Sequence, residues 1–192
     1  MASNGRCMAS VGQGPSNSSV RDWLVAHFPG LAAVEHRITS PESDHYNCIA
    51  WAASTNDRWW WPHADAFWPP TAPMSSTIEA FAAAYATLGY EPCVGPDFQP
   101  KYEKIAVYAD HASLPQHAAR QLLNGKWTSK LGPNVDIQHA TLEALAGDHY
   151  GTPTLYMRRY RPVWQWPLGW FYYAWIRFCP GTGTTTRTRQ PY

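Results

Sequence analysis

The chain has 192 residues, 45% of them hydrophobic and 15% charged, and its formal net charge is +1. This length and composition predict one globular domain with a buried core and exclude an intrinsically disordered chain. Before residue 158, nine Lys and Arg stand against fourteen acidic residues and are dispersed, which argues against nucleic-acid binding. Residues 158–192 carry six Arg and no acid, a pattern typical of a solvated tail or of a contact with an acidic partner or membrane surface.

The four cysteines are scattered along the chain, and no Cys-x-x-Cys pair is present. This spacing gives no support to a zinc site, and we expect neither a metal nor a cofactor. The N-terminus is polar and lacks the apolar stretch of a secretory signal. Free thiols in a cytoplasmic protein are the simplest interpretation, with export that needs no cleavable signal as the alternative.

The first half of the chain is predicted to be helical. Residues 1–19 are small and polar, which predicts a disordered N-terminus. The elements expected next are a helix over 19–28, a loop or short extended stretch over 31–45, a helix over 46–55, a long Trp-rich loop over 57–76 and a helix over 76–88 capped by Ser76 or Thr77.

The second half changes to strands. The expected elements are strands over 104–109, 117–122, 126–131 and 152–159, and a short helix over 137–145. Asn124-Gly125 is a strong hairpin signal between the second and third of these strands. Helices followed by an antiparallel sheet predict an α+β domain over 20–160, with an aromatic and basic extension over 161–192.

Cys48 is the leading candidate for a functional residue. It precedes the helix-forming residues 49–53, and a thiol in the first turn of a helix lies where the thiolate is favoured. Nucleophilic catalysis by cysteine also requires a histidine brought in from elsewhere in the fold. His117, on a predicted strand, is the best candidate for that base.

Four segments together resemble the papain-like cysteine hydrolases, in particular the compact bacterial cell-wall endopeptidases and amidases. These segments are residues 46–52, 59–62, 117–121 and 127–132, and they look closer still to an uncharacterised bacterial domain family with that fold. The resemblance covers roughly residues 21–160. It implies helices packed on a small antiparallel sheet, and a thiolate–imidazolium pair of Cys48 and His117 that attacks an amide or ester carbonyl.

The resemblance also implies a third group that orients the imidazole of the histidine. Asp136 is the first choice because a carboxylate best stabilises the cation, and Ser129, Asn134 and His139 are alternatives. The oxyanion donors would be the backbone N–H of Cys48 and a side chain nearby. Candidates for oxyanion and substrate contacts are Asn47, Tyr46, Trp51 and Ser129.

These observations leave two functional hypotheses. The first is a cysteine hydrolase that cleaves an amide or isopeptide bond in a peptide or other amide-containing substrate. The second is a non-catalytic binding module that holds a carbohydrate, lipid or protein with its aromatic residues. Residues 59–61 are three consecutive Trp, which can wall a substrate groove or fill the core, and the aromatic residues 162–178 can pack on the domain or contact a protein or membrane surface.

Overall fold

The computed structural model describes residues 17–161, and the side chains from residue 19 onward. The helices are α1 (Asn17–His27), α2 (Cys48–Ala52) and α3 (Ile78–Ala86), with 3-10 helices at Pro29–Ala33 and Leu142–Leu145. The strands are β1 (His36–Ser40), β2 (Glu91–Pro92), β3 (Tyr102–Ala109), β4 (Pro115–Gln121), β5 (Trp127–Lys130), β6 (Asp136–His139) and β7 (Thr152–Tyr160).

All seven strands form one sheet in the order β1-β6-β5-β4-β3-β7-β2, and all neighbouring strands are antiparallel. The predicted hairpin joins β4 to β5. Its turn contains Gly125 at φ 81°, a backbone conformation that glycine adopts without steric cost. The described part of the chain is therefore a mixed α+β fold, as the sequence predicts.

The sheet separates two hydrophobic cores. One, the α2–α3 core, lies between the sheet and helices α2 and α3, and it includes Cys48, Phe81, Val107 and Ala118. The other, the α1 core, lies on the opposite face under α1 and the 3-10 helices. It includes Leu24, Phe28, Ala106, Tyr108, Ala119, Trp127, Ile137 and Leu142. Because strand side chains alternate, neighbouring residues of β3 and β4 belong to different cores.

Side-chain caps set the start of the two central helices, and the cap of α3 is one of the two residues predicted from the sequence. The side chain of Thr77 accepts the N–H of Ala80 at 3.3 Å and begins α3, and Glu79 lies in its first turn. Asn47 caps α2 in the same way, by accepting the N–H of Ala50 at 3.1 Å. The second cap fixes the orientation of Cys48, the first residue of α2.

Several element predictions need correction. Helix α1 begins at Asn17, so residues 17–19 are helical and do not belong to a disordered terminus. The segment 137–145, predicted as a helix, contains the end of strand β6 and a 3-10 helix. Strand register decides this case, because β6 pairs with both β1 and β5 and buries all four of its residues. The short strands β1 and β2 complete the two edges of the sheet.

The domain continues at least one residue beyond the predicted boundary. Arg161, assigned above to the C-terminal extension, is buried and donates to the carbonyls of Tyr102 and Gln121, both at 2.8 Å. It also lies 3.5 Å from the buried carboxylate of Glu103. The remaining predictions for residues 1–16 and for the extension 162–192, including the predicted contact surface 162–178, lie outside the described residues. Within residues 17–161, no helix has the length and apolar character required to cross a membrane.

Gly151 permits a close contact that brings the start of β7 against the end of β3. Its φ is 73°, and a Cβ atom at this position would lie 1.8 Å from the carbonyl oxygen of Ala109. Only glycine fits there, since any other side chain would overlap with the backbone. The contact fixes the position of the preceding residue, Tyr150, near the start of β4.

Candidate active site

Asn47 connects the start of α2 to the Trp-rich loop. Besides capping α2, its Oδ1 accepts the N–H of Trp60 at 3.2 Å, and its Nδ2 donates to the carbonyl oxygen of Trp60 at 2.8 Å. These bonds fix the loop beside the Cys48 thiol. They also show that the Asn47 amide is directed at Trp60, which does not fit the predicted role of an oxyanion donor.

Cys48 is 7% exposed, and backbone amides lie near its sulfur. Burial raises the pKa of this thiol to about 11, because the thiolate would lose its hydration. The backbone N–H groups of Ala118, Ile49 and Cys48 itself act in the opposite direction, since they stabilise a negative sulfur. Burial is the larger effect, and Cys48 therefore rests as a neutral thiol at pH 7.

The thiol lies where strands β4 and β5 separate. These strands pair only at Arg120 with Thr128 and at Gln121 with Trp127. The N–H of Leu122 donates to Lys126, so the N–H groups at every second residue of this strand, including Ala118, point toward β5. The N–H of Ala118 therefore has no β5 carbonyl opposite it and instead stabilises the sulfur of Cys48.

His117, the predicted base, emerges from the opposite side of β4. Ala118 faces the α2–α3 core, so the ring of His117 lies on the α1 side, where Tyr108 contacts it edge-on at 5.2 Å between ring centroids. His117 is fully buried and forms no hydrogen bond with Cys48. The structure thus places the two residues on adjoining elements at the same gap in the sheet, but it does not join their side chains.

A chain of hydrogen bonds runs from His117 to the backbone at Thr141. Nε2 of His117 lies 3.0 Å from Oγ of Ser129, which lies 3.0 Å from Nε2 of His139. Nδ1 of His139 is 2.7 Å from the carbonyl oxygen of Thr141. Ser129 on β5 therefore bridges His117 on β4 and His139 on β6.

The donors in this chain follow from its last member. The Thr141 carbonyl can only accept, so Nδ1 of His139 carries a proton. Burial lowers the pKa of His139 to about 4, so its ring is neutral at pH 7 and its Nε2 is an acceptor. Ser129 must then donate to His139 and accept from Nε2–H of His117.

This assignment leaves Nδ1 of His117 as an unprotonated acceptor. The atom is buried and has no hydrogen-bond partner among the described residues. Burial also holds the pKa of His117 well below 6.5, with the neighbouring His139 acting in the same direction. The site therefore contains a neutral thiol and a neutral imidazole, in place of the thiolate–imidazolium pair that the resemblance implies.

Asp136, the first choice for the third catalytic residue, lies elsewhere. Its carboxylate accepts hydrogen bonds from the hydroxyl groups of Tyr46, at 2.6 Å, and Ser40, and Nζ of Lys130 lies 3.9 Å away. Asp136 lies on the α2 side of the sheet, because its partner Tyr46 packs in the α2–α3 core, and it does not contact His117. Ser129, named as an alternative, is the residue that binds the His117 ring.

Three other predicted contact residues have structural roles. The Tyr46 hydroxyl is bonded to Asp136, and its pKa is raised to about 12 by burial and by that carboxylate. The indole of Trp51 donates to Oγ1 of Thr128 at 3.0 Å and stacks on Tyr46 at 5.6 Å. Ser129 is fully buried beneath His117. None of the three lines the cavity at Cys48.

A cavity of about 490 Å³ opens at the thiol, within the range of about 300–1,000 Å³ typical of ligand sites. Its lining residues are Asn47, Cys48, Trp59, Trp61, His63, Asp65, Ala66, Gln116, Gly132 and Tyr150. Two of the three consecutive Trp thus wall a groove, while the third, Trp60, is buried against Phe67 at 4.9 Å. The Trp-rich loop thus contributes both to the wall of the cavity and to the core.

Comparison with known proteins places this site inside a recognised domain family. The family described as "Domain of unknown function (DUF7689)" matches residues 37–158, which is more than half of the chain. The chain belongs to this family. No curated protein and no solved structure matches the chain. The matched residues contain α2, α3 and strands β2 to β6, together with most of β1 and β7.

Tyr150 is the residue of the DUF7689 site that sequence reasoning missed. Its ring stacks on His117, with centroids 4.1 Å apart and planes 11° apart, and it also lines the cavity at Cys48. The adjacent Gly151 was the available signal, because an isolated glycine at the start of a strand often marks a close backbone approach.

The structure also bears on metal and cofactor binding. Among residues 17–161, no three His, Cys, Asp or Glu side chains are arranged to hold a metal ion. His117 and His139 face each other through Ser129, and each uses Nε2 for that contact. Their arrangement is that of a hydrogen-bonded chain.

Proposed function

We propose that this DUF7689 domain is a cysteine hydrolase of papain-like architecture that cleaves an amide or isopeptide bond. Cys48 is the nucleophile and His117 is the base. The observation that carries the proposal is the unpartnered Nδ1 of His117, since its chain of hydrogen bonds leaves a lone pair on that atom, in the residue next to Ala118, whose backbone N–H stabilises a negative sulfur at Cys48.

The neutral state of the two groups fits general-base catalysis. As the sulfur of Cys48 bonds to the substrate carbonyl carbon, the thiol proton moves to Nδ1 of His117, and the carbonyl π electrons move to oxygen. Collapse of this intermediate breaks the C–N bond, and the leaving amine takes the proton from Nδ1. Water then attacks the thioester carbonyl carbon and gives a proton to Nδ1. Collapse of this second intermediate breaks the C–S bond, the sulfur takes the proton back from Nδ1, and the carboxylic acid is released with the thiol and the neutral imidazole restored.

The backbone around Cys48 supports the charge that develops in this reaction. The backbone N–H groups of Ala118, Ile49 and Cys48 lower the pKa of the Cys48 thiol because they stabilise a negative sulfur. Amides fixed in a buried site stabilise negative charge without the cost of reorganisation. Transfer of the proton requires Nδ1 and the thiol to come into hydrogen-bond reach, and catalytic hydrogen bonds in ligand-free sites commonly shorten when substrate binds.

Formation of an acyl-enzyme tests the proposal directly. The full chain is incubated with activated acyl esters and the product is analysed by intact-mass spectrometry and peptide mapping. We expect one acyl group on Cys48 in the wild-type chain and none on Cys48→Ser. His117→Gln, with its fold checked by circular dichroism, should acylate at least about 100-fold more slowly, since general-base catalysis contributes about 10²–10⁴-fold. Equal acylation of wild type and His117→Gln would exclude His117 as the base.

A binding module is the second candidate, and the state of the thiol favours it. Cys48 makes no hydrogen bond with His117, and its pKa is raised to about 11. A thiol in that condition can serve simply as a wall of the apolar cavity. In that case Cys48→Ala would leave ligand binding intact, and no acyl-enzyme would form with any ester.

A further inference from the structure

The cavity at Cys48 has walls made mainly of aromatic rings. Trp59, Trp61 and Tyr150 form its sides, and Ala66 and Gly132 leave space between them. Trp59 is 41% exposed, so the groove opens to solvent along that ring. Rings with this arrangement suit either a sugar, which stacks on them, or an apolar chain, which is buried between them.

The polar groups of the lining help to decide between a sugar and an apolar chain as the ligand. The Asn47 side chain is bonded to Trp60 and Ala50, and Nε2 of Gln116 donates to Asp110 at 2.9 Å. A sugar presents many hydroxyl groups, and each one that is buried without a partner costs free energy. The Asn47 amide and Nε2 of Gln116 are already engaged within the protein, so neither is free for such a ligand.

The charges near the cavity also argue against an ionic ligand. His63 and Asp65 lie at the rim and are directed at each other, 3.4 Å apart. Lys130, the buried cation near the thiol, donates to the Asn134 carbonyl and lies beside Asp136. No Arg or Lys lines the described cavity, so a carboxylate or phosphate would find no cation there.

We propose that this cavity takes an uncharged apolar acyl group, which makes the substrate an amide or ester with a fatty or aromatic acyl part. The inference rests on the proposed function for the reacting carbonyl, which lies at the sulfur of Cys48. The acyl chain would extend between Trp59 and Trp61, where its burial removes apolar surface from water. The leaving amine or alcohol would then lie toward the open rim at His63 and Asp65.

Binding without reaction is tested on the Cys48→Ala chain. Octanamide is titrated by isothermal calorimetry, with acetamide and chitotriose as comparison ligands. We expect octanamide to bind, and acetamide and chitotriose to bind at least about tenfold more weakly, a difference of about 1.4 kcal/mol. Chitotriose binding more tightly than octanamide would overturn the inference in favour of a sugar site.

A matched pair of variants locates the octanamide. In the Cys48→Ala background, Ala66→Trp fills the cavity, whereas Ala64→Trp places the same ring two residues away at an exposed position that does not line it. We expect Ala66→Trp to weaken octanamide binding by at least about tenfold and Ala64→Trp to leave it unchanged. Equal effects of the two substitutions would place the ligand elsewhere and contradict the inference.

The acyl-enzyme assay separates this inference from the proposed function. If octanamide binds as expected but wild-type Cys48 is not acylated by p-nitrophenyl octanoate, the apolar site stands and the catalytic function fails. If p-nitrophenyl acetate and octanoate acylate Cys48 at the same rate and octanamide does not bind, the function stands and the apolar site is wrong.

Discussion

Tyr150 covers the imidazole of His117, with the two rings nearly parallel and their centroids 4.1 Å apart. This contact completes the burial of a ring that is already fixed at Nε2 by Ser129. Burial is the main reason why the pKa of His117 lies well below 6.5. Tyr150 therefore keeps the proposed base neutral.

Removing the Tyr150 ring should raise the pKa of His117. Water would reach one face of the imidazole in Tyr150→Ala, and the cost of forming the imidazolium would fall. Tyr150→Phe keeps the ring and should leave the pKa unchanged. Titration of the histidine C–H signals by NMR gives both values. A pKa of His117 that is the same in wild type and Tyr150→Ala would show that the stacked ring is not responsible for the shift.

Substitutions of Ser129 and Asp136 should have opposite effects on the acylation rate of Cys48 and on the stability of the fold. Ser129→Ala removes the acceptor that fixes the proton on Nε2 of His117, so acylation of Cys48 should slow by about 100-fold or more, as expected when a catalytic histidine loses its orienting partner. Asp136→Asn should act on folding instead. It breaks a buried contact with Lys130, with an expected cost of about 3–5 kcal/mol in the free energy of unfolding.

The comparison requires urea unfolding of both variants and acylation rates corrected for the folded fraction. For Asp136→Asn we expect a large loss of stability with a near-normal rate per folded molecule. If folded Asp136→Asn were acylated as slowly as Ser129→Ala, the Asp136 carboxylate would be the group that orients the His117 imidazole.

Local signals in the sequence were sufficient for the elements that carry the candidate nucleophile. The helix-forming residues 49–53 after Cys48 predict α2, and Asn124-Gly125 predicts the β4–β5 hairpin. Each of these depends on residues close together in the chain. The mixed α+β class follows from the same kind of local pattern.

The partner of His117 could not be found in that way, because strand pairing decides it. A carboxylate is the better partner for an imidazolium, which favoured Asp136. In the sheet, Ser129 and Asp136 point to opposite faces, since Lys130, which pairs with Asp136, alternates with Ser129. Only the register of β5 and β6 shows that His117 meets the serine.

Alkylation of Cys48 should depend steeply on pH. With a pKa of about 11, the thiolate is a minor species at pH 7, and the reaction rate should rise about tenfold per pH unit from pH 7 to 10. Peptide mapping after brief treatment with iodoacetamide measures the rate at Cys48, with Cys93 as an internal reference. A plateau of the Cys48 rate below pH 8 would instead indicate the thiolate–imidazolium pair.

Two buried neutral histidines should make the domain sensitive to acid. The pKa values of His117 and His139 are lower in the folded state than the ordinary 6.5, so the unfolded state binds more protons below that pH. Stability is therefore fully present above pH 6.5 and is lost as the pH falls. Each histidine contributes a slope of up to about 1.4 kcal/mol per pH unit. For His139, whose pKa is about 4, the total loss is about 3 kcal/mol.

Urea unfolding between pH 4 and 8 measures this dependence. We expect His139→Gln to be less stable than wild type at pH 8, because the hydrogen-bond chain from Ser129 is broken, but to show a shallower loss between pH 6.5 and 4. The exposed His63 is the matched control, and His63→Gln should retain the wild-type slope. If the slope of His139→Gln equalled that of His63→Gln, the acid sensitivity would have to come from groups other than the Ser129–His139 pair.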